Sequence, residues 1–272
     1  MIQKTRLTSK SSRIGYYAAS ALTLAAGLRP SLRVFRMLLA GAGRQARLVS
    51  LRGSPARFLV RSRMDLWMLK EVCLDRDYER VGAPLENGWV VMDVGAGIGE
   101  FSIEAATRFP DAAFHAFEPS PSAFSLLCDN IALNGTGSVR AYPIALSSKA
   151  GSGRLDISTG ATAFHRLADA AESHGDSGTV VSAWSLDDAM LNCGIARCDF
   201  LKMDCEGGEY DALLTTSSAT FARIQRICLE YHDSVAHHHR ELVSMLAAEG
   251  YRVRLTGNPA YEELGFLYAW KT

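Results

Sequence analysis

No aspartate or glutamate occurs between Met1 and Met64, although that stretch holds 13 Lys or Arg. All 29 acidic residues and the other 16 basic ones (29 − 13) lie beyond it. A formal net charge of zero therefore conceals a basic head and an acidic body. Such a split points either to a head that meets something anionic or to a solvated lead packed on the acidic body. An acidic body lacks the phosphate-tracking patch of a nucleic-acid enzyme, so no nucleic-acid partner is expected. Also missing is any apolar run of the roughly 20 residues a membrane span needs. The longest, Ile14 to Leu28, has basic, acid-poor flanks that resemble a signal or transit peptide or an interfacial helix beside anionic lipid. We read it as retained, with peripheral contact at the inner membrane face. The six cysteines make no CxxC and no Cys/His zinc pattern. Cys128, Cys205 and Cys228 sit in apolar runs and read as core, and a reducing, cytoplasmic setting fits. There is no internal repeat and no low-complexity block.

What is present is alternation. Arg47–Arg52 and Ala56–Arg61 flank Gly53-Ser54-Pro55 and predict a hairpin. Asp65 is the expected cap of a helical stretch through Glu79. We divide the chain into a basic extension, 1–64, and an α/β domain, 65–272. From Trp89 onward short apolar runs alternate with helical stretches. Strands are expected at WVVMDV, AAFHAFE, SVRAYPIAL, TVVSAW, DFLKMD and IQRICLEYH, with a hairpin around Gly151–Ile157. YRVRL and GFLYAWK close the chain as two strands without an intervening helix. This predicts a mostly parallel sheet of seven strands, covered on both faces, with an antiparallel C-terminal strand. Ligands of such sheets bind at the strands' carboxyl ends.

Chemistry-bearing residues fall at those ends. Asp93-Val94-Gly95-Ala96-Gly97-Ile98-Gly99-Glu100 joins a strand to a helix. The dinucleotide pattern G-x-G-x-x-G needs a sixth-position glycine, and Glu100 stands there. A carboxylate at that place opposes a pyrophosphate, so the loop suits a ligand such as S-adenosylmethionine. Glu118 ends the next strand at the distance where an acid accepts both ribose hydroxyl protons. Asp204-Cys205-Glu206-Gly207-Gly208-Glu209 clusters three acids at a third strand end, which implies a substrate, a cation or a buried proton as partner. Lys202 would be a structural partner, but its alternation with Leu201 and Met203 turns it to the other face. Glu230-Tyr231-His232 follows at the neighbouring strand, and His232 titrates near neutral pH. His237-His238-His239 cannot all face one metal from a helix and reads as surface.

Together VVMDVGAGIGEFS, FHAFEPSPSAFSLLCDNIALNG, VSAWSLDDAM and FLKMDCEGGEY resemble the FkbM-type methyltransferase family. Cys205 and Gly208 depart slightly from its usual residues. The resemblance spans about Leu48 to Lys271 and implies a Rossmann-like class I methyltransferase. It implies S-adenosylmethionine-dependent O-methylation of a hydroxyl on a sugar, glycan or secondary metabolite. It implies that Asp93, Gly95, Gly97 and Glu118, with Gly99, hold the cofactor, and that Asp204, Glu206 and Glu209 stand near the transferred methyl. His232 or Asp204 is then the expected proton acceptor, with Glu206 and Glu230 binding substrate hydroxyls or orienting the base. A divalent cation on Asp204 and Glu206 is left open. The competing readings are a nicotinamide-dependent oxidoreductase, against which Glu100 speaks, and a degenerate membrane-associated Rossmann-like protein, against which the carboxylate set speaks.

Overall fold

The computed structural model describes residues 10–40, 45–155, 178–258, 261 and 263–272. Seven strands form the central sheet: β1 (Val90–Val94), β2 (Ala113–Phe117), β3 (Val139–Tyr142), β4 (Phe200–Met203), β5 (Arg226–His232), β6 (Arg252–Gly257) and β7 (Leu264–Trp270). Their order is β6-β7-β5-β4-β1-β2-β3. All pairings are parallel except those of β7, which runs antiparallel to both β5 and β6. This is the Rossmann-like class I methyltransferase sheet with the antiparallel ending expected. The order of strand addition reverses between the parallel strands β1 and β4, so their carboxyl ends flank the crevice where such sheets take ligands.

Alternation divides the sheet between two cores. Val91 and Phe200 face one, packed under α1 (Glu100–Arg108) and α2 (Pro121–Asn134); Met92, Val94, Leu201 and Met203 face the other, under α3 (Leu186–Asn192), α4 (Gly208–Leu214) and α5 (His239–Ala248). The first core also contains Leu24, Leu28, Val34, Val49 and Phe58 beside Leu66, Leu69 and Tyr78, so residues on both sides of Met64 share one apolar cluster. Among the described residues no helix is long and apolar enough to cross a membrane.

Local details depart from expectation for identifiable reasons. The run SVRAYPIAL breaks at Pro143, which has no N–H for a ladder. Its second half, Ile144–Leu146, pairs with Thr179–Trp184 in a separate three-stranded sheet. Gly151–Leu155 is a strand, but its antiparallel partner is Thr179–Trp184; Ile157 lies outside the described residues. The hairpin of Arg47–Leu51 and Arg57–Val60 forms, with Leu28–Arg29 as a third strand. Ser62, not Asp65, caps the following helix. Asp65 sits three residues in and completes a capping box. That helix ends at Leu69 and gives way to a π-turn, Lys70–Leu74, and a short helix, Asp77–Val81. Cys128 is exposed rather than core, one residue past Leu127 and so off the buried stripe of α2.

Candidate active site

The loop after β1 turns through three left-handed glycines, Gly95, Gly97 and Gly99, with φ of 74°, 56° and 96°. Two of them serve the protein's own packing. A Cβ on Gly95 would lie 1.8 Å from the carbonyl oxygen of Asp204, and one on Gly99 would meet Ile103 and Leu127 side chains at 2.5 and 2.7 Å. Gly95 and Gly97 line a cavity together with Val94, Ile98, Phe117, Glu118, Asp204 and Glu206; Gly99 does not. Arg61, Met64, Asp65 and Met68, from the chain ahead of the sheet, form the opposite wall.

Asp93, expected at the cofactor, is wholly buried and lies outside the cavity lining. It stands directly opposite Lys202 across the β1–β4 ladder, and the two form an ion pair of 3.0 Å. Ser102 donates to the other carboxylate oxygen at 2.7 Å. Lys202 also donates to the Gly95 carbonyl at 2.7 Å. Burial alone would lower the Lys202 ammonium, but Asp93 and Asp204 reverse this and the net shift is upward. The pair thus braces the glycine loop from beneath.

Glu118 ends β2. Its carboxylate accepts the Gly97 N–H at 2.9 Å and the Ser120 N–H at 2.8 Å. Burial pushes it up to about 7 against the pull of those two bonds. Glu100, first residue of α1, accepts the Ile98 N–H at 3.1 Å and is raised by burial to about 8.

The acids after β4 divide by role. Glu209 is fully buried and accepts the N–H groups of Cys205 and Gly207 at 2.6 and 2.9 Å. It closes the turn, which corrects its expected place among substrate ligands. Glu206 sits in the left-handed region, φ 53°, unusual for a residue with a side chain, and half its side chain is in solvent. Asp204 accepts the Tyr78 hydroxyl at 2.8 Å.

His232, at the end of β5, lies between two of these acids, with Nε2 at 3.3 Å from Glu206 Oε2 and Nδ1 at 3.5 Å from Glu209 Oε1. The second is an ion-pair separation without a hydrogen bond. Burial lowers the imidazole, but Glu209 and then Glu206 outweigh it and raise it to about 10. This upward shift works against the expected role of His232 as proton acceptor. Glu206 is raised to about 7 by desolvation, offset in part by His232. Glu230 is raised well above the carboxylate range by burial and then by Asp204. It borders a second cavity with Glu71, Asp75, Asp77 and Phe266. Asp204, Glu230 and His232 bring one donor atom each within 4.8 Å of one another.

The histidine run is more than surface. His239 Nδ1 lies 2.8 Å from Asp233 Oδ2, and His238 caps α5 by accepting the Arg240 N–H. Tyr78 and the wall from Arg61 to Met68 were not legible as site residues. They follow no strand of the central sheet, and most of their stretch reads as an ordinary amphipathic helix.

Residues 93–253 match the methyltransferase FkbM domain. The chain belongs to the FkbM methyltransferase family. It is 31% identical to the 31-O-demethyl-FK506 methyltransferase FkbM of Streptomyces tacrolimicus over 72% of this chain and 85% of that one. It is 26% identical to the hexuronic acid methyltransferase AglP of Haloferax volcanii, covering 75% and 82%. Among solved structures, TYW2 of M. jannaschii in complex with AdoMet aligns with a TM-score of 0.44 and 16% identity over 85% of this chain and 88% of that one. The family is one of S-adenosylmethionine-dependent methyltransferases, and the FkbM-type cavity here suits that donor. Val94, Phe117, Ile144 and Leu146 give it an apolar side, Glu118 a buried carboxylate, and Gly97 a backbone without a side chain.

Proposed function

We propose that this FkbM-family protein O-methylates a hydroxyl on a sugar, glycan or secondary metabolite. The observation that carries the reading is Asp204. One of its carboxylate oxygens is held by Tyr78, and among the described residues no other hydrogen bond reaches its side chain. It stands where the cofactor cavity meets the acidic strand ends. The name of the FkbM relative supports an oxygen acceptor on a secondary metabolite, and that of the AglP relative a sugar-acid acceptor.

S-adenosylmethionine, when bound, supplies an electrophilic methyl on a good leaving group, so the protein has chiefly to align the acceptor and take its proton. In this reading Glu118 receives the ribose hydroxyls, and the backbone at Gly95 and Gly97 lets the donor lie against the loop. Asp93 and Gly99 support that loop from outside the cavity. Asp204 accepts the acceptor's proton as the oxygen attacks. Glu206 and Glu230 hold neighbouring acceptor hydroxyls, and the His232 imidazolium keeps Glu206 in place while offsetting the charge around Asp204. Glu209 fixes the turn that presents them.

The test is calorimetric titration with S-adenosylhomocysteine, repeated on Gly97→Arg, followed by transfer of labelled methyl to a panel of glycosides and polyhydroxylated metabolites. Micromolar binding lost in the variant, with label released as O-methyl product, is the expected outcome. Binding without transfer to any hydroxyl, or label found only on nitrogen or carbon acceptors, overturns the O-methylation reading.

A further inference from the structure

Fifteen residues ahead of the matched family domain, one side chain reaches the centre of the site. Tyr78 belongs to the short helix Asp77–Val81 and is 3% exposed. Three elements of the catalytic sheet hold its ring. Phe101 of α1 and Phe266 of β7 meet it edge-on at 5.9 and 5.4 Å. The Lys202 ammonium of β4 lies 5.3 Å from its centroid. The backbone is fixed as well: the Tyr78 carbonyl accepts the Gly82 N–H at 2.9 Å. A phenol held this way has one place to point, and it donates to Asp204 Oδ2 at 2.8 Å.

We infer that Tyr78 is a positioning residue for methyl transfer, orienting the Asp204 carboxylate so that its free oxygen faces the acceptor. The inference rests on the proposed role of Asp204 but not on the identity of the acceptor. A carboxylate with a single hydroxyl partner rotates about its last bond unless that partner is itself immobile, and here the partner is boxed by two rings and one cation. Other groups share that environment: Lys202 and Glu206 from β4 and its turn, Glu230 and His232 from β5. None of these donates a hydrogen bond to the Asp204 side chain, whereas Tyr78 does. The family domain by itself, from residue 93, lacks this hydroxyl.

The experiment is a set of crystal structures of the full chain with S-adenosylhomocysteine bound, in wild type and Tyr78→Phe. Phenylalanine keeps the ring and removes only the hydroxyl. The Asp204 carboxylate is expected to leave its wild-type orientation in Y78F, while the glycine-loop backbone stays in place and S-adenosylhomocysteine affinity stays within about twofold. Phe266→Leu is the control: it loosens the box but leaves the hydroxyl, and the carboxylate should move less. An unmoved Asp204 carboxylate in Y78F, or one displaced as far in F266L, overturns the proposal. Should Y78F fail to fold, D204N decides it: the Tyr78 ring should keep its place without the carboxylate, and a ring that swings out shows that Asp204 holds Tyr78 rather than the reverse. Loss of S-adenosylhomocysteine binding in wild type would instead sink the donor reading, and the ligand-free structures then carry the same comparison. With an acceptor in hand, Y78F should lower kcat about tenfold without changing KM for the donor.

Discussion

Gly95→Ala should be far more damaging than an alanine at another left-handed glycine. Two terms add. Any L-residue at φ 74° costs about 1–2 kcal/mol. The new methyl would also stand 1.8 Å from the Asp204 carbonyl oxygen and 2.8 Å from its carbon, backbone atoms that cannot swing aside as a side chain can. Relief requires β1 and β4 to part by more than an ångström at their carboxyl ends, a forced shift of the kind that costs about 1–3 kcal/mol. The sum is about 2–5 kcal/mol, which for a chain of this size lowers Tm by roughly 6–15 °C. Gly135→Ala is the internal comparison. It has φ 63° and nothing within 4 Å of its Cβ, so it keeps the first term alone and should lower Tm by about 3–5 °C. Calorimetric melting of both variants, with S-adenosylhomocysteine titration of each, checks the argument. G95A should also lose ligand affinity, because the displaced atoms line the cavity. Equal melting temperatures would refute the close-approach explanation for Gly95.

Lys202→Met leaves Asp93 wholly buried without its counter-charge and should cost about 3–5 kcal/mol in urea denaturation; the K202M/D93N double variant should recover part of this. Glu118 titrates at about 7, so S-adenosylhomocysteine affinity should weaken as pH falls from 8 to 6. Glu118→Gln should bind about tenfold more weakly with no pH dependence over that range, as calorimetry at several pH values would show. His232 is raised from its ordinary value near 6.5 to about 10. Its stabilisation is thus complete below about 6.5 and disappears as pH rises through 10. The stability gap between wild type and His232→Gln should shrink across that window, and a gap that widens would contradict the ion-pair assignment.

Strand-helix alternation from Trp89 carries the sheet in one dimension, because buried parallel strands and their covering helices differ in period. The antiparallel ending follows from the absence of a helix between the last two strands. Lys202 was correctly turned away from Leu201 and Met203. Its partner was not legible: Asp93 and Lys202 face each other only because β1 and β4 pair in one register, and no local pattern encodes register between strands so distant in sequence. The same holds for Tyr78, whose helix contacts Asp204 across the sheet's end. His232 was read from its free-imidazole chemistry, and the two glutamates that change it arrive through folding. Pro143 is the legible signal in its run: it marks the point where one apolar stretch becomes two strands in different sheets.

Asn130 of α2 joins two regions that the chain keeps apart. Its side-chain oxygen accepts the Leu59 N–H at 2.7 Å, and its amide donates to the Ile98 carbonyl at 3.0 Å. The edge strand that holds Leu59 and the glycine loop thus share one side-chain bridge, and any coupling it carries is reciprocal. A ligand that quiets the loop should slow hydrogen exchange at the Leu59 amide, and anything that grips the extension should tighten the cofactor site by the same factor.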